Sequence, residues 1–233
     1  MFPNDRFESL PAQGYRVNFA RTGIPQTLWK HWFCGDNNIS GAKCPNCKRA
    51  LLIFLLLDTS DERLDLSSTS LSSLPLLYCW RCNLSQDALY YRVFADGSVS
   101  LIKYKSGGIT TDFPYDDYPD HFPGVPAILE PLTRDHQNTL RLINTRRANM
   151  YRIQSSFPEM LVPQHQVGGE PLLLQYDAMQ PMQCIHCAAK MNFLACIGDD
   201  CLDPRGLIGY EGAQVLYHFC RSCNVVGALN RAD

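Results

Sequence analysis

Four pairs of cysteines constrain this chain more than anything else in it. The pairs are Cys44/Cys47, Cys79/Cys82, Cys184/Cys187 and Cys220/Cys223, each of the form C-x-x-C. Eleven cysteines scattered at random through 233 residues would give roughly half of one such pair, so the pattern has a chemical cause. The pairs also fall into two matched sets. Thirty-one residues separate Cys47 from Cys79, and thirty-two separate Cys187 from Cys220. The flanks match too: an apolar run ending in an aromatic residue (Tyr78, Phe219) precedes the later pair of each set, and an asparagine (Asn83, Asn224) follows it. An internal duplication accounts for both.

Two cysteines three apart sit on one tight turn, and both sulfurs reach a single ion. Two such knuckles complete a tetrahedral four-thiolate site, for which zinc is the expected occupant. The spacing therefore predicts two structural zinc ions, one held by Cys44, Cys47, Cys79 and Cys82, the other by Cys184, Cys187, Cys220 and Cys223. The alternatives are buried thiols or redox pairs, but redox chemistry typically uses one C-x-x-C at a helix start. Four thiolates fill the coordination sphere, so neither ion is expected to be catalytic. The intervening loops are longer than in a compact ribbon, giving two expanded zinc-ribbon halves.

Composition fits a folded protein: 45% of residues are apolar and 19% charged. The formal net charge is -2. Eight thiolates against two divalent ions would take it to about -6, which disfavours nonspecific nucleic-acid binding. The longest apolar run, Ala50 to Leu57, is far short of the ~20 residues of a membrane span, and the N-terminus lacks a signal-peptide pattern. A cytoplasmic protein with reduced thiols is the expectation.

Cys196 lies in an apolar run and reads as a buried inert thiol, while Cys34 and Cys201 fall in expected loops. A nucleophilic cysteine needs a base and an orienting group, and no histidine is singled out for that role.

The fold class expected is mainly β (α+β): duplicated zinc-ribbon halves joined by a proline-rich linker and one helix. Strands are expected near Gln26–Phe33 and over Ala50–Leu57, with the Ser/Leu-rich stretch 65–75 as a long loop. The Asp96-Gly97 pair between alternating runs predicts a hairpin. Residues 112–126, rich in proline and aspartate, read as the connector, followed by a polar-faced helix over Leu132–Ile153 starting near Thr133 or Asp135. Arg141, Arg146, Arg147 and Arg152 on that helix suit either a solvated face or a phosphate-bearing ligand. Gly168-Gly169 mark a turn before a further strand. The domains expected are 1–111 with the first site, 112–156 as linker and helix, and 157–233 with the second site.

A Gly-Gly-x-Pro turn (168–171), then C-x-x-C-x3-M-x-F-L (184–194), then an aromatic residue before the final C-x-x-C resembles the YwqG-like family of bacterial proteins. The zinc-binding module of the eukaryotic programmed-cell-death-protein-2 family is similar. The resemblance covers Gln164 to Asn224, with a fainter echo from Ile24 to Asn83. Cys196 departs from the glutamine frequent there, and Leu51, Ile53 and Phe54 stand in place of the Met-x-Phe-Leu residues upstream. The resemblance implies a mostly β, non-enzymatic binding protein. Its bacterial members include immunity proteins that neutralise toxins, and its eukaryotic relatives are thought to chaperone a ribosomal protein. A cognate toxin is thus the expected partner, a basic client such as a ribosomal protein the alternative. Candidate contacts are the acidic, aromatic linker residues Asp116, Asp117, Tyr118 and Asp120 and the knuckle residues Trp80 and Arg81.

Overall fold

The structure is a computed structural model that describes residues 8–19, 30–80, 82, 88–104, 120–144, 165–171, 173, 181–198 and 213–232. The chain is mainly β. In chain order the strands are β1 (Tyr15–Phe19), β2 (His31–Phe33), β3 (Leu52–Asp58), β4 (Ser73–Tyr78), β5 (Leu89–Val93), β6 (Val99–Lys103), β7 (Val125–Pro131), β8 (His165–Val167), β9 (Asn192–Gly198), β10 (Ala213–Cys220) and β11 (Val225–Ala232). The helix α1 spans Arg134–Asn144. All eleven strands among the described residues belong to one antiparallel sheet, in the order β4-β3-β2-β7-β1-β8-β9-β10-β11-β5-β6. Strands on both sides of the expected linker share it, and β5, from residues 1–111, pairs with β11 through Val225↔Arg92 and Val226↔Tyr91.

The sheet curls until β4, at one end, meets β5 near the other. No ladder joins these two strands. Instead the Tyr91 hydroxyl donates to the Pro75 carbonyl (2.8 Å) and accepts from the Leu77 N–H (2.9 Å). A phenol can do both at once, so one side chain stands in for the missing backbone pairing. Tyr91 is fully buried, and burial pushes its hydroxyl far above the ordinary tyrosine range, keeping it a neutral donor. Pro75 lies on the terminal strand, where a residue without an N–H is tolerated.

Two triplets of strands repeat one another. β2 pairs with β3 through Trp32↔Leu56 and Phe33↔Leu55, and β8 pairs with β9 through Gln166↔Cys196 and Val167↔Ala195. In each triplet the central strand carries a bulge. Phe54 is skipped between the Ile53↔Leu77 and Leu55↔Leu76 pairs, and Leu194 between Phe193↔His218 and Ala195↔Tyr217. The bulged carbonyls accept from the residue just past the neighbouring strand, Cys34 N–H to Phe54 (3.2 Å) and Gly168 N–H to Leu194 (2.8 Å). Both donors have left-handed backbones, Cys34 at φ 58 and Gly168 at φ 64. At Gly168 a Cβ would also meet the Pro11 carbonyl at 2.4 Å, so glycine is required there twice over.

The hairpin at Asp96-Gly97 forms as expected, with Gly97 at φ +80 and the Asp96 carboxylate accepting from Ser98 N–H (2.9 Å). The long loop after β3 ends sooner than expected, because Ser73, Leu74 and Pro75 join β4. The connector ends sooner too. Val125 and Pro126 open β7 in the middle of the sheet, and residues 112–119 lie outside the described set. The turn at Gly168-Gly169 follows a strand, β8; the strand expected after it lies mostly outside the described residues. Thr133 caps α1, its Oγ1 accepting from His136 N–H (3.2 Å) while His136 Nδ1 accepts from Thr133 N–H (3.3 Å). This is the reciprocal capping pattern with histidine in place of glutamate. The helix buries Leu140 and Ile143, and residues 145–153 lie outside the described set.

Under the sheet a buried ionic cluster anchors the loop after β3. Asp58 N–H donates to His31 Nδ1 (3.1 Å), so the ring's other nitrogen carries the proton, and that nitrogen lies 3.1 Å from Asp61 Oδ2. Arg63 grips Asp61 through Nε (2.9 Å to Oδ1) and Nη2, and its Nη1 donates to the Leu129 carbonyl of β7 (2.7 Å). His31 is 0% exposed, and burial holds its pKa below the ordinary imidazole value. Burial pushes the Asp61 carboxyl up, but hydrogen bonds from Arg63 outweigh it and hold it at about 2.

Two outcomes follow from these contacts. Tyr91→Phe strands a buried carbonyl and a buried N–H on β4, so it should lower stability by about 2 kcal/mol, read as a shift in the urea midpoint at constant slope. Asp61→Asn should cost about 2 kcal/mol at neutral pH, less than a fully buried pair because Arg63 reaches water. A depressed carboxyl stabilises the fold above its unfolded value of 3.8, and that contribution is lost as pH falls through about 2. The gap between native protein and variant should therefore close over that acid interval, and a gap independent of pH would refute the assignment.

Candidate metal centres

Each group of four paired cysteines converges. The sulfurs of Cys44, Cys47, Cys79 and Cys82 all lie within 4.8 Å of one another, as do those of Cys184, Cys187, Cys220 and Cys223. The separations are 3.6 Å for Cys44–Cys82, 3.8 Å for Cys47–Cys79 and 3.7 Å for Cys187–Cys220. Bonds of about 2.3 Å at tetrahedral angles place sulfurs ~3.8 Å apart. Both quartets match a single ion and neither matches a disulfide.

Local hydrogen bonding builds the two leading knuckles alike. Cys44 N–H donates to Arg49 O (2.8 Å) and Lys48 N–H to Cys44 O (2.9 Å); Cys184 N–H donates to Ala189 O and Ala188 N–H to Cys184 O, both 2.8 Å. Isolated bridges close each turn, Lys43↔Ala50 and Gln183↔Lys190. The residue after the second cysteine is left-handed in both, Lys48 at φ 64 and Ala188 at φ 60. Neither is glycine, so each turn is held in a conformation costing roughly 1 kcal/mol by itself. The trailing knuckles continue β4 and β10, and Asn224 adopts φ 52, a value asparagine tolerates.

The electrostatics are those of crowded thiols. A hydrogen bond from Cys79, aided by the Arg49 N–H, lowers Cys47 to about 5, and the Cys79 bond lowers Cys44 to about 7. Cys79 is driven far upward by the two sulfurs it serves. In the second quartet the Ala189 N–H leads in lowering Cys187 to about 7, while burial raises Cys220 and Cys223. Four sulfurs this close carry four negative charges only around a cation.

The surroundings of the quartets differ. Cys44, Cys79 and Cys82 belong to the main core, with Cys47 packed against it. The second quartet sits in a small separate cluster with Met182, Met191, Val225 and Tyr90, the last from β5. Cys187 is exposed. An ion pair between Arg221 and Asp65 (2.8 Å) ties the second trailing knuckle to the loop after β3.

Of the residues expected to touch a partner, Trp80 is instead buried at 7% exposure, its ring 5.9 Å from Tyr78. An apolar ring beside two ligands completes the core around the first quartet. Asp120 is exposed and pairs with Arg49 on the leading knuckle. Arg81, Asp116, Asp117 and Tyr118 lie outside the described residues, as does Cys201. Cys196 is buried in β9, and burial pushes its thiol to about 12, as suits an inert group. Cys34, expected in a loop, is buried at the end of β2. Reasoning from sequence missed His186, inside the second leading knuckle, whose Nδ1 lies 3.6 Å from Cys223 Sγ. The signal was there: the knuckle reads Cys-Ile-His-Cys. Among the described residues no helix is long and apolar enough to cross a membrane.

No protein-family model, curated protein or solved structure matches this chain. The geometry of the quartets has a direct physical consequence. Metal–ligand bonding at such sites is worth on the order of 10 kcal/mol, so stripping a loaded chain with a chelator should lower its thermal midpoint steeply. Cys79→Ser should remove the benefit of added metal at the first quartet. A melting curve indifferent to both would exclude metal binding.

Proposed function

We propose that this chain is a non-enzymatic, zinc-stabilised protein-binding protein that neutralises a cognate antibacterial toxin by covering it. The observation that carries this reading is the convergence of four sulfurs, and of nothing else, in each quartet among the described residues. Four sulfurs at tetrahedral spacing leave an ion no position for substrate or water. Zinc suits the donor set, being four-coordinate, thiolate-binding and without redox chemistry.

The matched knuckles, the equivalent bulges at Phe54 and Leu194 and the paired β2 and β8 contacts support two expanded zinc ribbons arising by duplication. Metal used this way supplies rigidity, and a rigid surface loses little entropy on binding. The action then belongs to the exterior. Trp32 is 48% exposed, and Leu142, Ile102 and Tyr104 are exposed as well. Aromatic anchors of this kind dominate interface energetics. Exposed Asp36 and Asp120 add acidic groups, the charge type that steers a basic toxin toward a complex. The compartment that fits eight reduced thiols is the cytoplasm. The same acidic surface suits a chaperone of a basic ribosomal client.

Metal analysis of the purified chain should give two zinc ions. Equimolar protein should then abolish the activity of the toxin encoded beside its gene. Undiminished toxin activity would sink the inhibitor reading, and capture of a ribosomal protein in its place would establish the chaperone.

A further inference from the structure

The two quartets share their knuckle hydrogen bonds, yet one position inside them differs in kind. Between the leading cysteines of the first stands Asn46, and between those of the second stands His186. The Nδ1 of His186 lies 3.6 Å from Cys223 Sγ. In a tetrahedral site with metal–sulfur and metal–nitrogen bonds of about 2.3 and 2.05 Å, sulfur and nitrogen ligands stand roughly 3.6 Å apart. His186 thus meets one sulfur at ligand spacing, while the full four-sulfur set is already complete without it. A further donor thus stands beside the second quartet, touching one of its sulfurs but outside the converging set of four. An asparagine amide is a poor ligand for a thiolate-seeking cation, so the first has no such reserve.

Exposure points the same way. In the first quartet Cys47 is half-buried and its three companions are buried in the main core. In the second, Cys187 is exposed, and the buried three belong to a small cluster apart from that core. A chelator or an acceptor protein therefore meets the second quartet at Cys187, the ligand on the same turn as the spare imidazole.

We propose that the second quartet is an exchangeable site for a divalent zinc-like cation, with His186 as a reserve ligand that takes the place of Cys187, while the first quartet holds its ion permanently. This rests on the zinc-bound reading above. Imidazole and thiolate are both ordinary zinc donors, and a three-cysteine, one-histidine set is a stable coordination sphere. Swapping one for the other keeps the ion held while the exposed sulfur is free to leave.

The test uses the full chain loaded with zinc, a zinc-binding dye as acceptor and metal content by mass spectrometry. The unaltered protein should release its ions in two phases of equal amplitude, one faster by roughly tenfold or more. Cys187→Ala, at an exposed position, should still hold two ions at saturating zinc. Cys187→Ala combined with His186→Asn should hold one and show only the slow phase. Circular dichroism would check that each variant is folded, and His186→Asn alone should keep both ions. Two ions leaving at one rate, loss of the second ion in Cys187→Ala, or its retention in the double variant would each overturn the exchange proposal and leave the structural-zinc reading intact. An unaltered chain holding fewer than two ions would overturn both.

Discussion

The convergence of sulfurs at the ends of hairpins is the constraint on which the remaining structure depends. In each quartet one pair of ligands sits just ahead of a central strand, β3 or β9, and the other at the end of its neighbour, β4 or β10. An ion held by both pairs fixes the pairing register at that end. A slip of one residue would turn every side chain to the opposite face. With register pinned, the central strand accommodates a bulge, and the bulged carbonyl finds a donor just past the next strand over, at Cys34 or Gly168. Sulfur quartet, bulge and left-handed donor form one arrangement that occurs twice.

Closure of the sheet is a separate matter, and the two halves of the device do not solve it alike. β11 follows its knuckle directly and pairs along β10, but β5 leaves its knuckle to pair with β11. That exchange carries Tyr90 onto the second quartet and Tyr91 onto the β4 backbone that no ladder pairs. The strand after the first knuckle thereby serves the second. The His31–Asp61–Arg63 cluster does comparable work on the other side, tying β2, the loop after β3 and β7 together with charges that are paired and hydrogen-bonded. Buried charge of this sort is tolerable only when every partner is present.

The two quartets share their spacing and knuckle hydrogen bonds but not their surroundings. Here the first quartet is folded into the main core, with Trp80 beside its ligands, and the second stands apart with a thiolate at the surface and a histidine on the same turn. Burial removes a site from exchange and exposure offers it. The difference lies in what surrounds the ligands, since the ligands themselves are the same.

The amino-acid sequence alone determined the eight cysteines that converge, their grouping, the β-rich class, the hairpin at Asp96-Gly97 and a helix start near Thr133 or Asp135, of which the structure chose Thr133. These depend on spacings of a few residues or on local backbone preference, which neighbours in the chain impose directly. Trp80 misled because a large aromatic residue beside a knuckle is equally suited to an interface or to a core, and burial chose the core. Pro126 misled because a proline-rich stretch reads as a connector, yet its end became a strand once β2 and β1 lay within reach. Only the tertiary structure decided the strand order, the Tyr91 closure, the buried charge cluster and the approach of His186 to Cys223. Each joins residues by packing in three dimensions, and no periodicity along the chain encodes such a contact.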